Sequence, residues 1–580
     1  MLRVSVLLCC IALLSACASR PTSSDPIEAL KRAQLESKIR AEAQDYARFT
    51  IARYAELTGD PITAAENYAK LVDRARDDVA IAERAIFASL LINDFQTAAS
   101  KAGRLPDDKL AEADLARITL AVEAISKGRN KNAIGHLNGP WNSPFHSVMA
   151  RSLLAWVAFE ADPEAAISLQ AGAGDNDPIL SSVARTLAAV MLANSNHPEK
   201  ALEQLETLWD EQIRFAIGVD ALARLLATEG ETEKALARLK VFRDTIGRNP
   251  ALTDLTARLE ADQIPVPPTY TTRAGAALAV YTATAALADQ SETDLPAVYF
   301  TLALALDPDL HAARTLSARA LDNAQRFEEA EALLAAIPES SIYHTNAQGQ
   351  LAWIKRRQGQ NVEALRLANA TLERTNDRNI RIQLADLYQS LDRHGEAAFV
   401  LTQVIEADKL EGRYDWRLFF ARGAARERMG EWPRAENDLQ TARGLNPGNA
   451  TILNYLGYGW ISRGMNLDEG LELIEQALRL NPRSGAITDS LGWAHYQLGN
   501  YDRAVFYLER ATELSPQDPE ILDHLGDAYW QVGRYTEAGY QWQRALLYLE
   551  TGTSEHTATQ NKLSTGLNAV ESSATGQDLR

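Results

Sequence analysis

Apolar residues recur along this chain at the spacing of one helical face, and no alternating β-branched runs interrupt the rhythm of alanine and leucine, so the pattern predicts an almost wholly helical molecule. The helices repeat. Ala477, Ala511 and Ala545 lie 34 residues apart, and Pro482 and Pro516 keep the same interval. One unit carries Leu491, Gly492, Ala504, Leu508, Ala511 and Pro516, the next Leu525, Gly526, Tyr529, Ala538, Trp542 and Ala545, and the preceding one Leu456, Gly457, Gly470, Ile474, Ala477 and Pro482. Each unit reads as two helices joined by a turn. Glycine in the first helix and alanine or glycine at the start of the second let the pair approach closely, and proline ends the second because it lacks an N–H and clashes with the turn before it.

This pattern resembles the tetratricopeptide repeat. The resemblance implies an all-α superhelical solenoid, a class that offers long curved surfaces to partners and seldom carries a catalytic centre. Four repeats span Trp416 to Leu549. The alanine that opens the second helix extends the series to Ala64, Ala98, Ala133, Ala166, Ala201 and Ala235, then Ala330, Ala364, Ala397 and Ala435, at intervals of 33 to 38 residues. A weaker unit carries Phe300, Ala303 and Pro308, with Pro296 in place of the alanine. The expectation is about fourteen helical hairpins.

Between Ala235 and Phe300 the rhythm fails. Ile264-Pro-Val-Pro-Pro268 reads as extended, since each proline disfavours helix in the residue before it, and it is either a modest irregular insertion or a functional hinge or partner-contact loop. The expected layout is a segment 1–16, a tether 17–25, an N-terminal array 26–248, a connector 249–272, a C-terminal array 273–550 and an end segment 551–580. In the last, Glu555 to Leu567 can form a capping helix and Asn568 to Arg580 reads as disordered.

The first residues suggest where the chain works. Arg3 followed by the apolar run Val4–Leu14 fits a secretory signal and is too short to span a bilayer. Leu14-Ser-Ala-Cys17 then resembles the bacterial lipobox, which implies cleavage before Cys17 and acylation of its thiol and amine. Two or more acyl chains anchor stably. Ala18 after the cysteine, where the resemblance would place aspartate for inner-membrane retention, favours the periplasmic face of the outer membrane. Asp25, Pro26 and Glu28 form a helix start. The short leash before them reaches roughly 25 Å at about 3.5 Å per residue.

The chain of 580 residues has a net charge of −18, with its basic residues interspersed among carboxylates, which argues against nucleic-acid binding. Cys9 and Cys10 leave with the signal, so no internal disulfide is expected. The nine histidines are scattered without zinc spacing, and there is no phosphate loop or nucleophile elbow, so no catalytic residue, metal or cofactor is assigned. Gly172-Ala-Gly-Asp-Asn-Asp177 lacks the later glutamate of a calcium loop and reads as an inter-helix loop. His495 and His524 read as packing or groove residues.

By position in the repeat, Asn454, Asp489 and Asp523 form one column on the concave side, with Tyr458 and Trp493, then Tyr496 and Trp530, in neighbouring columns. Aromatics beside carboxylates can hold a peptide, and they can equally pack between helices. The strings Asn454-Tyr-Leu-Gly-Tyr, Ile487-Thr-Asp-Ser-Leu-Gly-Trp and Ile521-Leu-Asp-His-Leu-Gly-Asp-Ala-Tyr-Trp are similar to the C-terminal repeats of the proteobacterial outer-membrane lipoproteins that act as adaptors of the periplasmic carboxyl-terminal processing protease. That resemblance implies a non-enzymatic scaffold binding the protease and its peptidoglycan hydrolase substrates. A pilotin or assembly factor for an outer-membrane complex is the alternative.

Overall fold

A computed structural model describes residues 26–174, 177–195, 197–247, 249–288, 294–374 and 377–567. The expected signal segment, Cys17 and its tether, and the tail from Asn568 lie outside the described residues. All regular elements within them are α-helices, in two compact units that divide between Ile354 and Lys355. No helix among the described residues is long and apolar enough to cross a membrane.

The first unit holds α1 (Pro26–Leu57), α2 (Pro61–Val72), α3 (Val79–Leu91), α4 (Phe95–Ala102), α5 (Asp107–Leu110), α6 (Asp114–Ser126), α7 (Asn130–Leu137), α8 (Pro144–Phe159), α9 (Pro163–Ala171), α10 (Pro178–Ala193), α11 (Pro198–Asp210), α12 (Ala216–Thr228), α13 (Thr232–Thr245), α14 (Pro250–Glu260), α15 (Thr272–Ala288), α16 (Leu295–Leu306), α17 (His311–Asn323) and α18 (Phe327–Ala335). Helix α19 (His344–Arg357) spans the division. The second unit continues with α20 (Asn361–Arg374), α21 (Arg378–Ser390), α22 (His394–Leu410), α23 (Trp416–Arg428), α24 (Trp432–Leu445), α25 (Ala450–Ile461), α26 (Leu467–Leu480), α27 (Gly485–Gln497), α28 (Tyr501–Leu514), α29 (Pro519–Gln531), α30 (Tyr535–Leu546) and α31 (Ser554–Thr565). In chain order these make fourteen pairs plus the single helices α5, α14 and α31. Each alanine of the series from Ala64 to Ala538 lies on a second helix and is at most 2% exposed.

Close approach within a pair is enforced by the glycines. A Cβ on Gly492 would sit 2.6 Å from Leu508 Cγ, and one on Gly526 would sit 2.4 Å from the Trp542 indole nitrogen. Second helices end just before Pro308, Pro482 and Pro516, as the missing N–H requires. The end of the array is closed by α31, where Thr553 Oγ1 accepts from His556 N–H at 3.2 Å and Leu563 and Leu567 pack onto the cluster of Leu525, Tyr529 and Trp542.

The connector differs from expectation. Asn249 and Pro250, read as the start of a break, are a helix start: Asn249 Oδ1 accepts from Ala251 N–H at 3.0 Å, and α14 buries Leu252, Leu255 and Leu259 in the core of the preceding pairs. Only residues 263–271 run without helix beyond the α14 terminal turn. Nor do residues 249–272 separate the two units, because residues 273–354 belong to the first.

That short run turns the chain back on itself. Tyr270 N–H donates to Asn194 Oδ1 at 2.9 Å while its carbonyl accepts from Asn194 Nδ2 at 3.2 Å, which pins the turn to the end of α10. From there α15 lies against α6, α8 and α10, and α16 lies against α3, α4 and α6. Helices α3, α6, α8 and α10 are the first helices of successive pairs, which line the concave side of a repeat array. The α15–α16 hairpin therefore fills the groove of its own array.

The composition of α16 explains this. Nine of its twelve residues, from Ala297 to Leu306, are buried, and a helix apolar all round must be enclosed. Each fully buried Val, Leu or Phe contributes roughly 1.5–3 kcal/mol. Polar side chains then set the register: Thr301 Oγ1 donates to the Leu90 carbonyl at 2.9 Å, and Thr272 Oγ1 to Glu160 Oε1 at 2.8 Å.

Candidate functional site

In α25, α27 and α29 the glycine faces the second helix, so residues three before it and one and four after it turn toward the neighbouring first helices. Asn454, Asp489 and Asp523 stand three before Gly457, Gly492 and Gly526. Two of the three are not open to a groove. Asp489 is 6% exposed, and its carboxylate oxygens lie 3.0 and 3.1 Å from His524 Nδ1 on the next first helix. Asp523 accepts from Thr559 Oγ1 at 2.9 Å and from Lys562 Nζ at 2.5 Å, both on α31. At Asp489 and Asp523 the column expected on the concave surface is a seam, because the helix two further along the array, α29 or α31, places a donor against the carboxylate.

The Asp489 seam continues into the aromatic column. Trp493 stacks on Tyr496 of its own helix, with centroids 4.6 Å apart and planes at 5°, and on the His524 ring at 4.0 Å and 17°. Burial opposes a charge on His524, but the Asp489 carboxylate, its hydrogen bond, and Glu520 and Asp527 outweigh it and push the pKa up to about 9. An imidazolium stacked against the Trp493 face is favoured by the ring quadrupole. Gln531 Nε2 donates to the Tyr496 hydroxyl at 3.2 Å.

Trp530 belongs to the capped end. Its ring lies against Gly566, edge-on to Tyr535 at 4.5 Å and beside Trp542 at 5.6 Å. Lys562 also reaches Asp527 Oδ2 at 2.7 Å, and Trp542 Nε1 donates to Asp527 Oδ1 at 3.0 Å. Asp523 and Trp530 thus serve the α31 contact.

Asn454 and Tyr458 remain. Tyr458 is half-buried against Ile461, Leu491 and Ala494, and burial, with the negative charges of Glu520, Asp489 and Glu427, raises its pKa. Asn454 Oδ1 is enclosed without a hydrogen-bond partner among the described residues. Beside them Arg463 pairs with Glu427 at 2.7 Å.

Sequence reasoning missed His524, Thr559 and Lys562 as partners of the two aspartates. The available signal was the spacing: His524 follows Asp489 by 35 residues and Thr559 follows Asp523 by 36, close to one repeat in each case. Of the other residues singled out, His495 stacks on Tyr507 at 5.4 Å, and burial lowers its pKa. Asp177 caps α10 through Ile179 N–H at 2.9 Å. Among the described residues no group of histidine, cysteine or carboxylate side chains could hold a metal ion.

Tetratricopeptide repeat sequence models match residues 379–409, 420–484, 462–519 and 490–552. The TPR repeat-containing protein PA4667 of Pseudomonas aeruginosa is 38% identical over 85 residues, a match that spans 15% of this chain and 14% of that protein. A tetratricopeptide repeat protein from Parabacteroides merdae is similar in structure over 44% of this chain and 97% of its own, at 17% identity and a TM-score of 0.38. The Cut9–Hcn1 hetero-tetramer structure of the APC/C is similar over 90% of this chain and 96% of that one, at 13% identity and a TM-score of 0.36. The fold is an all-α tetratricopeptide-repeat superhelix, and such repeats imply a scaffold for protein–protein interaction.

Proposed function

We propose that this chain is a lipid-anchored periplasmic adaptor on the outer membrane, which holds a carboxyl-terminal processing protease and its cell-wall hydrolase substrates together and so promotes their proteolysis. Bringing two proteins onto one scaffold makes their encounter intramolecular, and the gain in effective concentration needs no catalytic residue. The lipobox-like Leu14–Cys17, the short leash before α1 and the resemblance of the C-terminal strings to those of such adaptors support the reading.

The observation that carries partner binding is at Asn454. Asn454 is half-buried beside Tyr458, and its amide can pair with the backbone of an extended peptide while Tyr458, Trp493 and Tyr496 cover the apolar side chains of that peptide. The N-terminal groove is largely filled by α15–α16, which leaves the face around Asn454 as the recognition surface of this reading.

The test is affinity capture from a periplasmic extract with the chain from Ala18 onward, beside Asn454→Ala and Cys17→Ser variants. A processing protease with murein hydrolases is expected from the unaltered bait, with less recovered on Asn454→Ala, and Cys17→Ser in cells is expected to leave the membrane fraction or stay unprocessed. Recovery of secretin or porin assembly machinery without the protease would overturn the reading.

A further inference from the structure

The filled part of the N-terminal groove ends at Tyr299. Between that residue and the first three helices lies a cavity of about 730 Å³, walled by Phe87, Leu91, Leu115 and Leu295 among others, with Glu83 and Tyr299 among its polar residues. Its size falls within the roughly 300–1,000 Å³ of ligand sites.

The hydrogen bonds behind Tyr299 define what its oxygen can do. The Asp114 carboxylate accepts from the backbone N–H of Asn142 at 2.9 Å and of Ser143 at 3.1 Å, and lies 3.1 Å from His146 Nδ1. Burial lowers the pKa of His146, so the ring is neutral with its proton on Nδ1, directed at Asp114. Its Nε2 is then an acceptor, and the Tyr299 hydroxyl donates a hydrogen bond to it. The Tyr299 oxygen is left with lone pairs only.

The cavity lining carries both signs of charge, and its two arginines are already paired. Arg84 is neutralised by Glu56 at 2.7 Å, while Arg326 pairs with Glu329 and donates to the Leu91 carbonyl at 2.6 Å. Among the described residues Glu83 has no such cation: its Oε1 accepts from Leu115 N–H at 2.9 Å, and burial, with Asp114 nearby, raises its pKa. Asp294 also lines the cavity. A site with acceptors and negative charge in an apolar wall selects a cationic donor on an apolar body.

We propose that this cavity binds a lysine or arginine side chain presented by an apolar peptide segment of a partner protein, with the cation on Glu83 and the Tyr299 oxygen and the flanking apolar side chains against Phe87 and Leu91. The rest of the same groove already holds apolar side chains, those of α15 and α16. This site lies in the first unit and does not depend on the face around Asn454.

The probe is a fluorescein-labelled peptide amide, Leu-Phe-Lys-Leu-Phe, titrated by anisotropy into the full chain from Ala18 onward, beside versions with methionine or glutamate in place of lysine. The lysine peptide is expected to bind at least about tenfold more tightly than the methionine peptide, a difference of about 1.4 kcal/mol, and the glutamate peptide not to bind. Glu83→Gln keeps an acceptor for Leu115 N–H and is expected to abolish the preference for lysine. Ala80→Trp, at an exposed position of the lining, is expected to block the lysine and methionine peptides. Equal binding of the three peptides, no binding at millimolar concentration, or indifference to both Glu83→Gln and Ala80→Trp in variants with unchanged melting temperature would overturn the proposal.

Discussion

Asp489 and His524 stand on successive first helices, and the 3.0 Å contact between carboxylate and imidazole ties two repeats together through a buried ion pair. A solenoid holds only as well as its neighbouring repeats adhere, so this pair connects a local repeat position to the stability of the C-terminal unit.

Its pH dependence follows from the raised pKa of about 9 on His524. The folded value lies above the ordinary 6.5, so the stabilisation is complete below about pH 6.5 and is lost as pH rises through about 9. The loss is on the order of 3 kcal/mol. Urea unfolding of the wild type at pH 6 and pH 9.5 should show it, and His524→Gln should flatten the difference; an equal pH slope in the variant would refute the assignment.

Removing one partner of the pair leaves a buried charge. Asp489→Ala is expected to cost roughly 3–5 kcal/mol, while Gly492→Leu, which drives side-chain atoms into Leu508, costs roughly 1–3 kcal/mol or more. Calorimetry of the two variants should therefore show both melting earlier than wild type. An unchanged transition for Asp489→Ala would mean that the carboxylate faces an open groove after all.

Gly275 tests the filled groove. A Cβ there would come within 2.2 Å of the Trp156 ring, so Gly275→Val must shift α15 off α8. The expected result is faster hydrogen exchange across α15 and α16 with the C-terminal repeats unchanged. Exchange as slow as in wild type would show that the hairpin does not depend on that contact.

Cleavage distinguishes the two dividing points. A protease site placed within residues 263–269 should yield fragments that stay together on a sizing column, because α15–α16 remains buried in the array before the cut. A site in the turn at 358–360, near the division of the units, should yield two separately soluble pieces. Separation at the first site and not the second would invert the domain assignment.

Lys562 holds the C-terminal cap to Asp523 and Asp527. Lys562→Met should release two carboxylates from their cation and loosen α31, seen as increased proteolysis near residue 550 and greater solvent quenching of Trp530. Protection equal to wild type would show that Leu563 and Leu567 hold the helix without the ion pairs.

The repeat period was legible in the sequence because it records contacts made within one hairpin. Gly492 must meet Leu508 and Gly526 must meet Trp542 only sixteen residues later, so the small residues recur wherever the hairpin recurs, and the buried alanine series follows. The same locality made the α31 cap readable from Leu563 and Leu567. What the tertiary structure alone decided are the contacts between distant segments: Thr301 on the Leu90 carbonyl, Gly275 under Trp156, and His146 between Asp114 and Tyr299. No periodicity marks the Thr301, Gly275 and Tyr299 contacts, since each joins residues more than one hundred positions apart, whereas Asp114 and His146 are 32 apart, close to one repeat. The all-round apolar composition of α16 was visible and demanded enclosure, but only the fold determined that the enclosing wall would be the concave face of the first array.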